Sequence, residues 1–244
     1  MCGGEREGAG FKGRLEEVVD RIARAARRAG RDPATVKLVA VTKAVPVERL
    51  PEALACGCRT FGESRVQEAL AKMDALGAVP GIEWHLIGPL QSNKVKAAAG
   101  RFSLIQSVDR LEVAERLDAE TRKRRLVQPV LLEVNVAGEG TKHGFAPEEL
   151  VSAAERIGAL GGLRVLGLMA IPPAAAEAEG ARFHFRRVRE LAAQVEARGI
   201  IGVSMKDLSM GMSGDFEVAV EEGATMVRIG TALFGPRPEK RSEA

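Results

Sequence analysis

Two rhythms of apolar residues alternate along this chain. Short apolar runs are followed by longer stretches in which apolar side chains return every third or fourth position. The first rhythm suits strands buried on both faces, and the second suits amphipathic helices. Residues 11–29 open in the helical rhythm, with Leu15, Val18, Val19, Ile22, Ala25 and Ala26 on one face. Gly30 ends that helix, and Arg31-Asp32-Pro33 turns the chain. Strands are then expected over 38–41, 59–62, 82–88, 104–108, 129–136, 163–171, 207–210 and 226–230. Helices are expected between them, over 46–56, 63–76, 92–99, 147–160, 177–198 and 214–222. A further helix runs to about Arg125, with Asp109 expected to cap its first turn.

Strict alternation of strand and helix implies a parallel sheet covered by helices. An open doubly wound sheet could host the same pattern. Eight such repeats in 244 residues favour closure, because a (β/α)8 barrel has about 250 residues. The expected fold is therefore α/β, a single TIM-like (β/α)8 barrel over 11–237 with an extra N-terminal helix. The Gly-rich polar stretch 1–10 is expected to be a leader and 238–244 a polar tail. Pro172-Pro173-Ala174-Ala175-Ala176 reads as a loop, not a domain linker.

Composition narrows the function classes. The 36 basic and 33 acidic residues leave a net charge of +3, too small to mark a nucleic-acid footprint. The basic run Arg122-Lys123-Arg124-Arg125 ends a helix, where cations complement the helix dipole. With 8 Phe, 1 Trp and no Tyr, little aromatic surface exists for stacking bases. No apolar run approaches the roughly 20 residues that span a bilayer. Three cysteines argue against a disulfide framework, and Cys56-Gly57-Cys58 lacks the spacing of common zinc and redox motifs. These features point to the cytoplasm, with no nucleic-acid or membrane partner.

Candidate chemistry gathers where the strands end, the functional face of such a barrel. Lys43 closes the first strand, and burying an unpaired ammonium there is costly. It is a candidate phosphate binder or Schiff-base nucleophile. Asn135 ends the fifth strand, with Lys142 and His143 in the loop beyond, and Met169 ends the sixth. Ser209, Met210 and Ser213 follow the seventh, and Arg228, Gly230 and Thr231 close the eighth. Barrels often hold a phosphate after strands seven and eight. Glycine permits close backbone approach there, and serine and threonine add hydroxyl donors. Ser213 is also expected to cap the helix that follows it. His85 reads equally well as a satisfied core histidine or a ligand contact.

Several segments come in one order across the chain: Ala40-Val41-Thr42-Lys43, Phe61-Gly62-Glu63, Trp84-His85-Leu86-Ile87-Gly88-Pro89, Gly167-Leu168-Met169-Ala170-Ile171-Pro172, Leu208-Ser209-Met210-Gly211-Met212-Ser213 and Val227-Arg228-Ile229-Gly230-Thr231. Together they closely resemble the pyridoxal phosphate homeostasis protein family, itself similar to the barrel domain of alanine racemase. The resemblance implies that Lys43 holds pyridoxal 5′-phosphate (PLP) as a Schiff base. It implies that Arg228 faces the pyridine nitrogen and that Ser213, Gly230 and Thr231 hold the phosphate. Asn135 and Met169 would line the ring site, with Ser209 and Met210 close by. Where the family has Asn and an aromatic after Phe-Gly-Glu, this chain has Ser64-Arg65.

The implied function is intracellular vitamin B6 homeostasis: binding PLP and supplying or buffering it, with apo PLP-dependent enzymes as recipients. The alternative is a PLP-dependent amino-acid racemase of low activity. Alanine racemase uses a tyrosine from a second domain as its other base, and this chain has no tyrosine. A monomer or weak homodimer is expected. Lys142 reads first as a solvated loop lysine, with a second amine that receives the aldehyde during transfer as the alternative.

Overall fold

The structure is a computed structural model, and it describes residues 10–138, 143–173 and 177–236. The strands are β1 (Lys37–Val41), β2 (Thr60–Glu63), β3 (Glu83–Leu86), β4 (Leu104–Val108), β5 (Gln128–Glu133), β6 (Leu163–Met169), β7 (Val203–Ser209) and β8 (Met226–Ile229). All pair in parallel, in sequence order, and β8 returns to β1 to close a barrel. The helices are α1 (Phe11–Arg28), α2 (Leu50–Ala55), α3 (Val66–Leu76), α4 (Val95–Ala98), α5 (Leu111–Lys123), α6 (Leu150–Gly158), α7 (Arg182–Glu196), α8 (Phe216–Glu221) and α9 (Thr231–Phe234). The eightfold alternation read from the sequence is thus the fold.

The extra helix α1 is fastened to the far end of the chain. Arg21 pairs with Glu217 at 2.8 Å and Arg28 with Glu221 at 2.7 Å. Arg14 donates to the Leu233 carbonyl at 2.7 Å, and Phe11 meets Phe234 with ring centroids 5.1 Å apart. These contacts bind α1 to α8 and α9, on either side of β8. The helix therefore braces the strand that carries Arg228.

Most of the core lies between sheet and helices, as parallel sheets require. A smaller cluster of Val39, Leu104, Leu131, Met169 and Met226 fills the barrel itself. Beside it runs a buried polar chain. His85 Nδ1 lies 2.9 Å from Gln106 Nε2, the Ser209 hydroxyl donates to Gln106 Oε1 at 2.6 Å, and Arg228 donates to Ser209 Oγ at 2.7 Å. Burial, with Lys37 nearby, pushes the His85 imidazole down to about 4. His85 is therefore a neutral core histidine. Gly167 lets β6 and β7 touch, because a Cβ there would collide with the Asp207 carbonyl.

Two local expectations are corrected, and one short helix is new. Strand β7 starts at Val203, since Ser204 and Lys206 alternate with Val203 and Met205 in a half-buried register. Asp109 does not cap α5: Arg110 is the N-cap, and Asp109 instead accepts both of its hydrogen bonds from the Arg110 guanidinium. Helix α9 is too short to leave a periodic signal. Lys142 and the segments 1–9 and 237–244 lie outside the described residues.

Candidate functional site

Lys43 stands just past the end of β1, inside a tight turn. Val45 N–H closes that turn on the Thr42 carbonyl at 2.9 Å. Ala44 has φ of 60°, a left-handed conformation that costs a non-glycine residue on the order of 1 kcal/mol. Such a turn persists only when its flanks are held. Here Lys72, buried on α3, donates to the Thr42 carbonyl at 2.7 Å and to Glu63 Oε1 at 2.7 Å. The Thr42 hydroxyl donates to the same Glu63 oxygen at 2.6 Å. Glu68, bridged to Lys72 at 3.0 Å, accepts the Ala44 N–H at 2.8 Å. The residues on either side of Lys43 are thus clamped by one buried charge network. Burial pushes the Glu63 carboxyl up, and hydrogen bonds from Lys72 and Thr42 oppose that rise. Its Oε2 has no partner among the described residues.

Two adjoining cavities open at the barrel mouth, and Lys43 belongs to both. The first, about 230 Å³, is lined by Lys43, Arg228, Ser213, Gly214, Gly230 and Thr231, with Met212 at its edge. The second, about 340 Å³, runs from Lys43 to Glu133, Asn135 and His143 between Ile87, Pro89, Val134 and Ile171. Ser64, Ile87 and Ile171 line both. The position where the family pattern is broken therefore faces the site.

Arg228 is anchored from below. It donates to the Ser209 carbonyl at 2.7 Å, to Ser209 Oγ at 2.7 Å and to the Ala170 carbonyl at 2.8 Å. All of these acceptors are neutral. Burial lowers the guanidinium to about 10, which leaves it charged near neutral pH. Ser213 does not cap α8; its hydroxyl accepts the Ala232 N–H of α9 at 3.3 Å, while Asp215 accepts the Met212 N–H at 2.6 Å. That contact ties the β7 and β8 loops together.

The structure brings Lys43, Ser213, Arg228, Gly230 and Thr231 around one cavity and places Asn135 in its neighbour. Three other expected residues lie beneath. Met169 packs in the barrel interior, Ser209 supports Arg228, and Met210 is buried between sheet and helices. Met212, two positions on, reaches the cavity instead of Met210.

Glu133 was not legible as a site residue. It ends an apolar strand two residues after the interior Leu131 and two before Asn135, so strand periodicity puts all three on one face. It is 7% exposed, and burial, reinforced by Asp109, pushes its carboxyl up to about 7. Among the described residues no hydrogen bond or ion pair reaches that carboxylate. The folded value exceeds the ordinary 4.5, so the folded state holds the proton more tightly than the unfolded one. The stabilisation is complete at pH below 4.5 and is lost as pH rises through about 7. Glu133→Gln is accordingly expected to match the parent protein near pH 4 and to exceed its stability near pH 8, by on the order of 2–3 kcal/mol. Urea unfolding at the two pH values measures this, and equal stability at both would contradict it.

The comparisons with known proteins agree with this geometry. A family described as alanine racemase, N-terminal domain, matches residues 14–238. The pyridoxal phosphate homeostasis protein of Aquifex aeolicus is 48% identical over 224 residues, covering 92% of this chain and 97% of its own length. The chain belongs to the pyridoxal phosphate homeostasis protein family. PipY of Synechococcus elongatus, solved with PLP bound, is 36% identical with a TM-score of 0.81 over 92% of this chain and 100% of that one. An alanine racemase of Clostridium difficile is 16% identical with a TM-score of 0.71, and 58% of its length is covered, so it shows likeness of fold alone. In this member of the family, the residues around Lys43 are those of a closed parallel barrel with both cavities at the strand C-termini.

Proposed function

We propose that this chain binds PLP through a Schiff base to Lys43 and holds it for vitamin B6 homeostasis, supplying or buffering it for apo PLP-dependent enzymes. One observation carries the reading. Lys43 sits in a cavity lined by the buried cationic Arg228, the hydroxyls of Ser213 and Thr231 and the glycines Gly214 and Gly230, together with the apolar Val41, Ile87, Ile171 and Met212. A flat anion-bearing aldehyde fits that donor set. Ser213 and Thr231 hydroxyls and the nearby backbone N–H groups suit phosphate oxygens. Arg228, fixed by its carbonyl contacts, suits an acceptor nitrogen, since a guanidinium only donates. An arginine there disfavours protonation of the ring nitrogen and makes the ring a weaker electron sink than a carboxylate would.

Bound in this way, the cofactor supplies an aldehyde that condenses reversibly with amines. The protein's own part is to hold Lys43 at a fixed position, bind the phosphate and leave the site open. No tyrosine exists to serve as the second base of alanine racemase, which favours holding over racemisation. We place this activity in the cytoplasm. Cys56 and Cys58 are both free thiols. Among the described residues no helix is long and apolar enough to cross a membrane.

Titrating the purified protein with PLP tests the reading: a saturable band at the visible edge is expected, and an unchanged spectrum would contradict it. Ser213→Ala combined with Thr231→Val is expected to weaken PLP binding by at least about tenfold, roughly 1.4 kcal/mol, while the band still forms at saturation. Unaltered affinity in that variant would remove these hydroxyls from the phosphate site.

A further inference from the structure

The second cavity has a chemistry that phosphate and ring binding do not use. Glu133 lines this cavity and not the first; it is more than nine-tenths buried and has no hydrogen bond or ion pair among the described residues, although the charges of His143 and Arg228 reach it. Buried carboxylates are ordinarily paired. Its neighbour Asp109 is paired: it accepts from Arg110 at 2.7 Å and lies 3.1 Å from His143 Nδ1. Glu133 is the carboxylate left facing the cavity. Among the described residues no group of three or more His, Cys, Asp or Glu is placed to hold a metal ion. Ile87, Pro89, Val134 and Ile171 give the cavity shared by Glu133 and Lys43 an apolar wall, beside the polar Ser64, Asn135 and His143.

We infer that this cavity is a subsite for a protonated primary amine on an aliphatic chain, with Glu133 accepting from its ammonium group and the apolar walls holding the chain beside Lys43. An ammonium supplies the donors and the charge that Glu133 lacks. Leaving a buried carboxylate unpaired costs stability, and such local conflicts are found at functional sites.

The inference rests on the proposed role of Lys43 and extends it. An amine docked there loses one proton to Glu133 and becomes a nucleophile. With PLP bound, its nitrogen would take the aldehyde carbon from Lys43 Nζ, one carbon–nitrogen double bond forming as the other breaks. The two protons lost by the incoming nitrogen would pass to Lys43, one of them by way of Glu133, so that Lys43 would leave as an ammonium. The exchange would consume no water, oxidant or reductant. The site would thus be where the amine that removes the cofactor enters.

The test uses the full chain without PLP, so it is independent of whether Lys43 holds the cofactor. The protein has 3 histidines, and His143 lines this cavity while His85 is buried in the barrel. With histidine rings isotopically labelled, n-butylamine hydrochloride at pH 8 is expected to shift the His143 signals saturably, and butan-1-ol is not. Glu133→Gln is expected to weaken that binding at least tenfold, with the His85 signals unmoved. Absence of a saturable shift, or equal affinity in the variant, would overturn the inference. The amine source is read by repeating the titration with Nα-acetyl-lysinamide and with L-alanine. Tighter binding of the former marks a protein lysine side chain, tighter binding of the latter a free amino acid, and binding of neither overturns the subsite. Failure of the Lys43 reading would show separately, as an absent visible-edge band with amine binding intact.

Discussion

Lys43→Ala is expected to abolish the visible-edge band of PLP-saturated protein and to weaken PLP retention by at least about a hundredfold, roughly 3 kcal/mol. The reason is that none of the other lining residues carries an amine that could bond the cofactor covalently. Ser213, Thr231 and Arg228 would still attract a phosphorylated ring, so weak, non-covalent binding should survive. The variant should fold normally, because Lys43 is only partly buried and sits outside the strand. Equilibrium dialysis and absorbance, measured beside thermal unfolding, separate loss of the amine from loss of the fold. A variant that keeps the band would show that another amine carries the cofactor.

The second large effect is expected at Lys72, which touches neither cavity. Lys72→Met removes the cation that faces Glu63 and Glu68 and that donates to the Thr42 carbonyl. Removing one partner of a buried pair leaves the other charge uncompensated and typically costs about 3–5 kcal/mol. Glu63, fully buried, would be that stranded group. Adding Glu63→Gln should recover more than half of the lost stability, since the stranded charge is then gone. It should not recover PLP affinity, because the turn around Lys43 still lacks the Lys72 bond to Thr42. Stability restored with affinity still reduced about tenfold, roughly 1.4 kcal/mol, is the expected result of comparing the two variants. Full recovery of both would make the network a purely structural one.

The barrel was legible because each of its repeats carries a local signal. The runs at Leu38–Val41 and Val130–Leu132 are too apolar for a half-exposed strand, and the longer helices show one apolar face each. What stayed hidden depends on contacts between distant segments. Lys72 and Glu68 have the i,i+4 spacing of an exposed helical pair, and only the fold turns that pair inward beneath Thr42. Glu133 looked like the polar end of a strand, and only the fold leaves it facing a cavity without a hydrogen bond or ion pair among the described residues. Met210 and Met212 are indistinguishable in a loop by composition, and the turn around Gly211, with φ of 91°, decides which one reaches the cavity. Ser213 was readable as a loop residue at the strand ends, and it lines the Lys43 cavity, but its hydrogen-bond partner is a helix that begins eighteen residues later.

Lys43, Arg228, Gly230 and Thr231 were readable as candidates from their places at the ends of the first and eighth strands, which pair with each other to close the barrel. Closure is what brings the chain's beginning and end into one site. The helix α1 reinforces it, through Arg14, Arg21 and Arg28, on the side where β1 meets β8.

The most direct measurement is borohydride reduction of the PLP-saturated protein followed by peptide mass mapping. Reduction fixes the cofactor on whichever amine holds it. The pyridoxyl mass is expected on the peptide containing Lys43, in about one copy per chain. A saturated protein whose Lys43 peptide stays unmodified, or whose label falls on another lysine, would contradict the account.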